Sequence, residues 1–262
     1  MGIQIDRDKC IGCESCAAVC PFGVISIVDG KAQVAEGCTL CGACRDACAY
    51  EAILIETAAA APPAAADHHG IWVFAEQYEG VLKSVGYELL ARGRQLADAL
   101  DTTLSAVCLG HQVAEPGQLI SHGADKVYLV DDPALAHHQE DLYTQALVRL
   151  IRQYKPEVVL AGATSLGRSF IPRVAATLQT GLTADCTDLD IDRENRLLLQ
   201  TRPTFGGNVM ATIICQARRP QMATVRPRVF KKSPPDATRK GEIVRLGLDG
   251  AGPARTSLLD FV

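Results

Sequence analysis

The sequence predicts two folding units of unlike class in series: a small α+β unit organised by cysteine, then an α/β unit with a doubly wound, mostly parallel sheet and an antiparallel extension. Three observations predict this. Eight of the eleven cysteines fall between Cys10 and Cys48, in two runs of identical spacing. The stretch ETAAAAPPAAADHHG, Glu56 to Gly70, has no periodicity and separates them from the rest. From Ile71 onward short apolar runs alternate with amphipathic stretches, as strands joined by crossover helices do. The boundaries read as 1–57 for the cysteine unit, 58–70 for a linker, 71–232 for the larger unit and 233–262 for a tail.

Composition narrows the classes. The 262 residues carry 30 acidic and 26 basic side chains, interspersed, for a net charge of -4, which suggests neither nucleic acid nor an anionic membrane as partner. No run approaches the roughly 18 apolar residues of a spanning helix, and the start MGIQIDRDKC lacks the plan of a signal peptide. A cytoplasmic protein without membrane insertion is expected.

Cys10, Cys13, Cys16 and Cys20, followed by Pro21, form C-x2-C-x2-C-x3-C-P, the bacterial ferredoxin run. Three of its cysteines hold one 4Fe-4S cubane, and the fourth reaches across to another. Cys38, Cys41, Cys44 and Cys48 repeat the spacing. The pattern therefore assigns Cys10, Cys13, Cys16 and Cys48 to one cluster, and Cys38, Cys41, Cys44 and Cys20 to a second. A tight loop with Gly12 and Gly42 among the ligands turns thiolates inward and points backbone N–H groups at sulfur. The repeat runs beyond the ligands, since KCIGCESCAAVCPFGVISI aligns with GCTLCGACRDACAYEAILI as two copies of a loop-helix-strand unit. Ala49 replaces the proline of the first copy; proline there is no ligand, so altered tuning is expected and not a lost cluster. Zinc sites favour paired knuckles across a longer loop, and disulfides are unusual in a reducing compartment. A two-cluster, ferredoxin-like unit is the expectation, its fold held by the clusters.

The Ala and Pro stretch reads as a semi-rigid tether that lets the cysteine unit swing. His68 and His69, like His137 and His138, read as solvated pairs and not as ligands. Beyond it, strands are predicted at Ile71–Ala75, Leu104–Leu109, Lys126–Val130 and Val158–Ala161. Leu82–Leu100 has helical periodicity, and Tyr143, Leu147, Leu150 and Ile151 make one apolar face of a helix closed by Pro156.

The turn Gly162 to Ser169 reads G-x4-G-R-S, one residue from a phosphate-binding loop. Arginine does not replace the missing lysine, and the position after the first strand is wrong, so a tight strand-to-helix turn with Arg168 on a neighbouring acid is the expectation. After Gly181 the chain turns strand-rich: LTADCTDLDID, NRLLLQTRPTF, NVMATIICQ and QMATVRP, expected as the antiparallel extension. Asp185, Asp188, Asp190 and Asp192 alternate with apolar residues as a half-buried strand does, which displaces a hard-cation reading. Cys108, Cys186 and Cys215 sit in apolar runs as small hydrophobes. In TRPTFGGN, Arg202 precedes Phe205, Gly206 and Gly207, a fixed charge beside backbone able to approach a flat partner; the alternative is a glycine bend with Arg202 on a nearby acid.

The ordered blocks IWVFAEQYEG, LSAVCLGH, GADKVYLVDD, YKPEVVLAGATSLGRSFIPRVAATLQTGLTADCTDLDID, TRPTFGGNVMATI and RPQMATVRP together resemble the amino-terminal domain of the electron transfer flavoprotein alpha subunit, over Ile71 to Phe230. The fused cluster unit further resembles alpha subunits of anaerobes that work with a lactate dehydrogenase or an acyl-CoA or enoyl-CoA reductase. The resemblance implies a heterodimer with a beta subunit, FAD bound by or shared with that subunit, and Arg202, Phe205, Gly206 and Gly207 against it. It implies single electrons passing between flavin and a ferredoxin through the clusters, and electron bifurcation with NADH in some members. The family's carboxyl-terminal FAD domain is not in the sequence, which ends at TSLLDFV, as a truncated form or a subunit split at the domain border would. No catalytic acid, base or nucleophile is expected. The alternative is a ferredoxin-fused docking module that binds no flavin.

Overall fold

The computed structural model describes residues 2–20, 23–35, 38, 42–56, 67–248, 252, 254 and 256. Most of the expected linker, together with Pro21 and Cys41, lies outside the described residues. The chain divides into two compact units, Met1–Pro62 and Pro63–Val262.

In the first unit, β1 (Gly2–Ile5) leads to α1 (Ser15–Ala18), the hairpin of β2 (Ile25–Val28) and β3 (Lys31–Val34), α2 (Ala43–Asp46) and β4 (Ile53–Glu56). β1 pairs antiparallel with β4, and β2 with β3, so each half of the repeat contributes one helical turn and strand material. The hairpin turns through Asp29 and Gly30, both at positive φ, as two-residue hairpin loops require. Each helical turn starts from a left-handed residue, Glu14 at φ 66° and Gly42 at φ 88°. These two are equivalent in the repeat, so one geometry is reached with glycine and once without. Cys10, Cys16 and Cys44 are buried with Ile25, Ala32, Ala52 and Ile53. Cysteine is thus a large part of this unit's core.

The second unit begins β5 (Ile71–Phe74), β6 (Gln77–Tyr78), β7 (Val81–Leu82), α3 (Ser84–Ala99), β8 (Leu104–Gly110), α4 (Gly117–Ser121), β9 (Lys126–Asp131) and α5 (Glu140–Tyr154). It continues β10 (Val158–Gly162), α6 (Ser165–Leu178), β11 (Leu182–Cys186), β12 (Asp188–Asp192), β13 (Leu197–Thr204), β14 (Val209–Ile213), β15 (Gln221–Val225) and β16 (Glu242–Leu246). Seven strands form one sheet in the order β11-β15-β10-β5-β8-β9-β16, and every neighbouring pair is parallel. Successive residues of β5 alternate sides. Ile71 and Val73 pack with Leu89, Leu90 and Leu96 of α3 and Leu119 of α4, while Trp72 and Phe74 pack with Leu147 of α5 and Phe170 of α6. Helices on both faces make the sheet doubly wound, and the four strands read from the sequence all lie in it.

The antiparallel part differs from the expectation. β12, β13 and β14 form a separate three-stranded sheet, and β11 and β15 join the large sheet in parallel. Apolar strand sequence carries no sign of pairing direction: QMATV is fully buried inside the parallel sheet and LTADC, at its edge, partly so, whereas the charged alternation of β12 suits one wet face. β16, within the stretch read as a tail, adds the seventh strand beside β9. α5 ends as expected, with Lys155 in the left-handed region and Pro156 next.

Candidate functional site

Cys10, Cys13 and Cys16 from the first repeat and Cys48 from the second line one cavity, walled by Ile27, Ala32, Ala52 and Ile53. The spacing assigns these same four to one cluster. All four are unbridged. The Ala32 N–H donates to Cys10 Sγ at 3.4 Å, and Lys31 Nζ donates to the Cys10 carbonyl at 2.5 Å. Gly12 brings the ligand loop against the hairpin: at φ 69°, a Cβ there would run into the Gly30 carbonyl oxygen. Cys13 is exposed, its Sγ 3.5 Å from Ser15 Oγ. Burial pushes the Cys16 thiol up, a preference that coordination overrides, since a metal deprotonates a coordinating thiol outright. Among the described residues no three His, Cys, Asp or Glu side chains crowd onto a point as ligands of one ion would. The four cysteines surround a cavity instead, as one thiolate per corner of a cubane requires. Soft sulfur donors, an amide on sulfur and an apolar wall fit an iron–sulfur cluster.

Of the second set, Cys44 is buried and Cys20 and Cys38 half-buried, and Cys41 lies outside the described residues. Cys108 and Cys186 are fully buried packing residues, and burial pushes their thiols up to about 12 and about 11, while Cys215 is half-buried.

The sheet changes winding direction between β5 and β10, the place where open α/β sheets bind ligands beyond their strand ends. Here Thr164 Oγ1 donates to Glu76 Oε2 at 2.6 Å across that crevice, and accepts the Gly167 N–H at 3.0 Å to cap α6. Burial raises the Glu76 carboxyl above its usual range. Gly167 packs directly on Gly162, where a Cβ would strike the Gly162 carbonyl oxygen, and Arg168 pairs with Asp185 at 3.0 Å. The G-x4-G-R-S segment is a tight turn with its arginine on an acid. In β12, Leu189 and Ile191 are buried in the core, while Asp188 and Asp190 are exposed, as strand alternation demands.

Arg202 lies on β13, opposite Ala211 of β14, below the turn Phe205–Gly207. Gly206 and Gly207 have φ of 69° and 95°, and a Cβ on either would meet nothing within 4 Å. Conformation favours glycine here, and space does not demand it. Among the described residues no acid lies within ion-pairing distance of Arg202, and its Nε is buried without a hydrogen-bond partner. β14 is an edge strand on which Val209, Met210 and Ile213 are exposed, with Ile214 just beyond. The residues missed from sequence are Lys31, Glu76 and Thr187, which nothing in a bare string marks. Gln200, interrupting the apolar run LLLQ, was the one visible signal.

The pattern of the electron transfer flavoprotein domain matches residues 71–250, and that of the 4Fe-4S binding domain matches residues 3–26 and 35–51. The chain is 51% identical over 197 residues to an electron transfer flavoprotein subunit alpha of Thermoanaerobacterium thermosaccharolyticum, covering 74% of this chain and 59% of that protein. It is 38% identical over 228 residues to the LctC subunit of a lactate dehydrogenase (NAD(+),ferredoxin) of Acetobacterium woodii, covering 87% and 54%. An acryloyl-CoA reductase electron transfer subunit beta of Anaerotignum propionicum is 46% identical over 186 residues, covering 62% and 51%. The chain therefore spans between half and three-fifths of the length of these relatives. Among the described residues no helix is long and apolar enough to cross a membrane.

Proposed function

The chain belongs to the electron transfer flavoprotein family, and on that premise we propose that it is the alpha-type subunit of a flavin-based electron-transfer complex. It passes single electrons between a flavin, held by or shared with a beta-type subunit, and a ferredoxin. The observation that carries this reading is the convergence of Cys10, Cys13, Cys16 and Cys48, from both halves of the repeat, on one apolar-walled cavity.

Iron–sulfur clusters supply one-electron chemistry, and FAD supplies conversion between a two-electron hydride and single electrons. The chain's own residues prepare the surroundings. Cys10, Cys13, Cys16 and Cys48 hold one cluster, and Cys20, Cys38, Cys41 and Cys44 the other. Ala32 N–H on the Cys10 sulfur and the Lys31 ammonium on the Cys10 carbonyl offset thiolate charge and so favour acceptance of an electron. Ile27, Ala52 and Ile53 keep water from the inner wall. Arg202 supplies a fixed positive charge towards the flavin, and Phe205, Gly206 and Gly207 form the turn that meets it. The names of the relatives support a lactate-type or acyl-CoA-type dehydrogenase as third component, and bifurcation between NAD and ferredoxin.

The test is anaerobic co-purification with the beta-type subunit, followed by counting iron, sulfide and flavin. About eight iron atoms per chain are expected for two cubanes, together with extractable flavin. A complex with iron but no flavin would leave only a cluster-bearing docking module, and iron well below that count would remove the two-cluster reading.

A further inference from the structure

Among the described residues three glutamines are almost completely buried, and two of them are fully used. Gln221 accepts the Leu198 N–H at 2.8 Å and donates to the Arg196 carbonyl at 3.1 Å. Gln77 accepts the Gly80 N–H at 2.8 Å and donates to the Leu109 carbonyl at 3.1 Å. Gln200 differs: it is 1% exposed, and its Oε1 has no hydrogen-bond partner. A buried acceptor left unmade is costly, so such an atom calls for an explanation.

Its surroundings supply one. Gln200 and Arg202 are two residues apart on β13 and so share a face. The Arg202 Nε–H is itself buried without a partner, and Thr187, whose N–H donates to the Thr201 carbonyl at 2.8 Å, adds a third such atom, its Oγ1. A free donor and a free acceptor therefore stand on one strand face within side-chain reach of each other. Gln200 is too deep to touch a ligand, whereas Arg202 is only half-buried.

We propose that Gln200 is a positioning residue for Arg202: in the assembled complex Gln200 Oε1 accepts the Arg202 Nε–H, fixing the guanidinium with its terminal nitrogens turned outward to the flavin. In the free chain nothing draws Arg202 into that orientation, and both groups wait unpaired. The proposal rests on the reading of Arg202 as a flavin neighbour.

A double-mutant cycle in the complex with the beta-type subunit tests it, with the flavin midpoint potential as readout. Arg202→Ala removes a positive charge that favours reduced flavin and should lower the potential. Gln200→Leu should lower it in the same direction by less, weaken flavin retention roughly tenfold, and do neither in the Arg202→Ala background. In the free chain Gln200→Leu should hold or raise the melting temperature, because it removes a buried unpaired acceptor. Gln200→Met repeats the cycle should the leucine variant not fold. An Arg202→Ala effect with no Gln200→Leu effect overturns the proposal alone, as does an equal Gln200→Leu effect in both backgrounds or a lowered melting temperature in the free chain. No effect of Arg202→Ala overturns the flavin reading, and this proposal with it.

Discussion

Gly12, which lines the first cluster cavity, packs against Gly30, and replacing each by alanine separates two costs. Both sit at φ 69°, so either substitution incurs the left-handed penalty of about 1 kcal/mol. They differ in surroundings. A Cβ on Gly30 would meet nothing within 4 Å, whereas one on Gly12 runs into the main-chain oxygen of Gly30, in a tight turn with no slack. Displacing that turn adds roughly 1–3 kcal/mol of overpacking. Gly12→Ala should therefore cost about 2–4 kcal/mol and Gly30→Ala about 1 kcal/mol. A unit of this size draws no more than about 3–5 kcal/mol from its own core, so the larger figure moves the Cys10 to Cys16 loop off its ligand geometry. Iron and sulfide content of the anaerobically purified full chain is the assay, with loss of cluster absorbance in denaturant as a second measure. Gly30→Ala should keep nearly full iron, while Gly12→Ala should lose about half of roughly eight atoms. Equal losses in the two variants, or none in Gly12→Ala, would refute the contact as the cause.

Two further outcomes follow from the geometry. If Cys48 belongs to the cavity of the first repeat, Cys48→Ser and Cys10→Ser should abolish the same cluster signal in electron paramagnetic resonance; a Cys48→Ser protein that keeps the signal lost in Cys10→Ser would uncross the ligands. Asp125 accepts the Leu104 N–H at 2.9 Å and pairs with Arg94 at 2.8 Å and Arg239 at 2.6 Å. Burial works against its charged form, but these partners hold the carboxyl below its usual value. The sign is that of a depressed acid: its stabilisation is present above the unfolded value of about 3.9 and is lost as pH falls through the folded one. Asp125→Asn should thus lower the melting temperature at neutral pH, with the gap to the parent closing below about pH 4; a constant gap would show that charge is not the source.

What was legible in the sequence is what local chemistry determines. Ligand spacing, the Tyr143 to Ile151 helical face and the apolar runs of β5, β8, β9 and β10 each carry their own signal within a few residues. Pairing direction does not: β11 and β15 look like any buried strand, and their parallel placement depends on α6 and on a return past the separate β12-β13-β14 sheet. β16 was hidden because EIVRL is a mostly exposed edge strand carrying Glu242 and Arg245, held by register with β9 and by the Lys126–Glu242 pair at 2.8 Å. The Arg168 turn was legible since a missing lysine is visible in the string; the Glu76 carboxyl that faces it comes from 88 positions away.

The two ends of this chemistry explain each other. In an open α/β sheet the crevice at the change of winding is where a phosphate would dock, because helix N-termini and loop N–H groups point there. In this chain the Thr164 hydroxyl is spent on the α6 cap and on Glu76, whose carboxyl occupies the crevice. The usual ligand position has thus become a structural junction. Polar groups with unspent hydrogen bonds lie instead at the root of the β13 and β14 hairpin, in Thr187, Gln200 and Arg202, beside an edge strand with exposed Val209, Met210 and Ile213. This apolar edge beside the unpartnered Arg202 Nε is the surface to which the proposed flavin site is assigned. On the function proposed for this chain, the domain would contribute one wall of a flavin site and the 4Fe-4S unit the one-electron carriers.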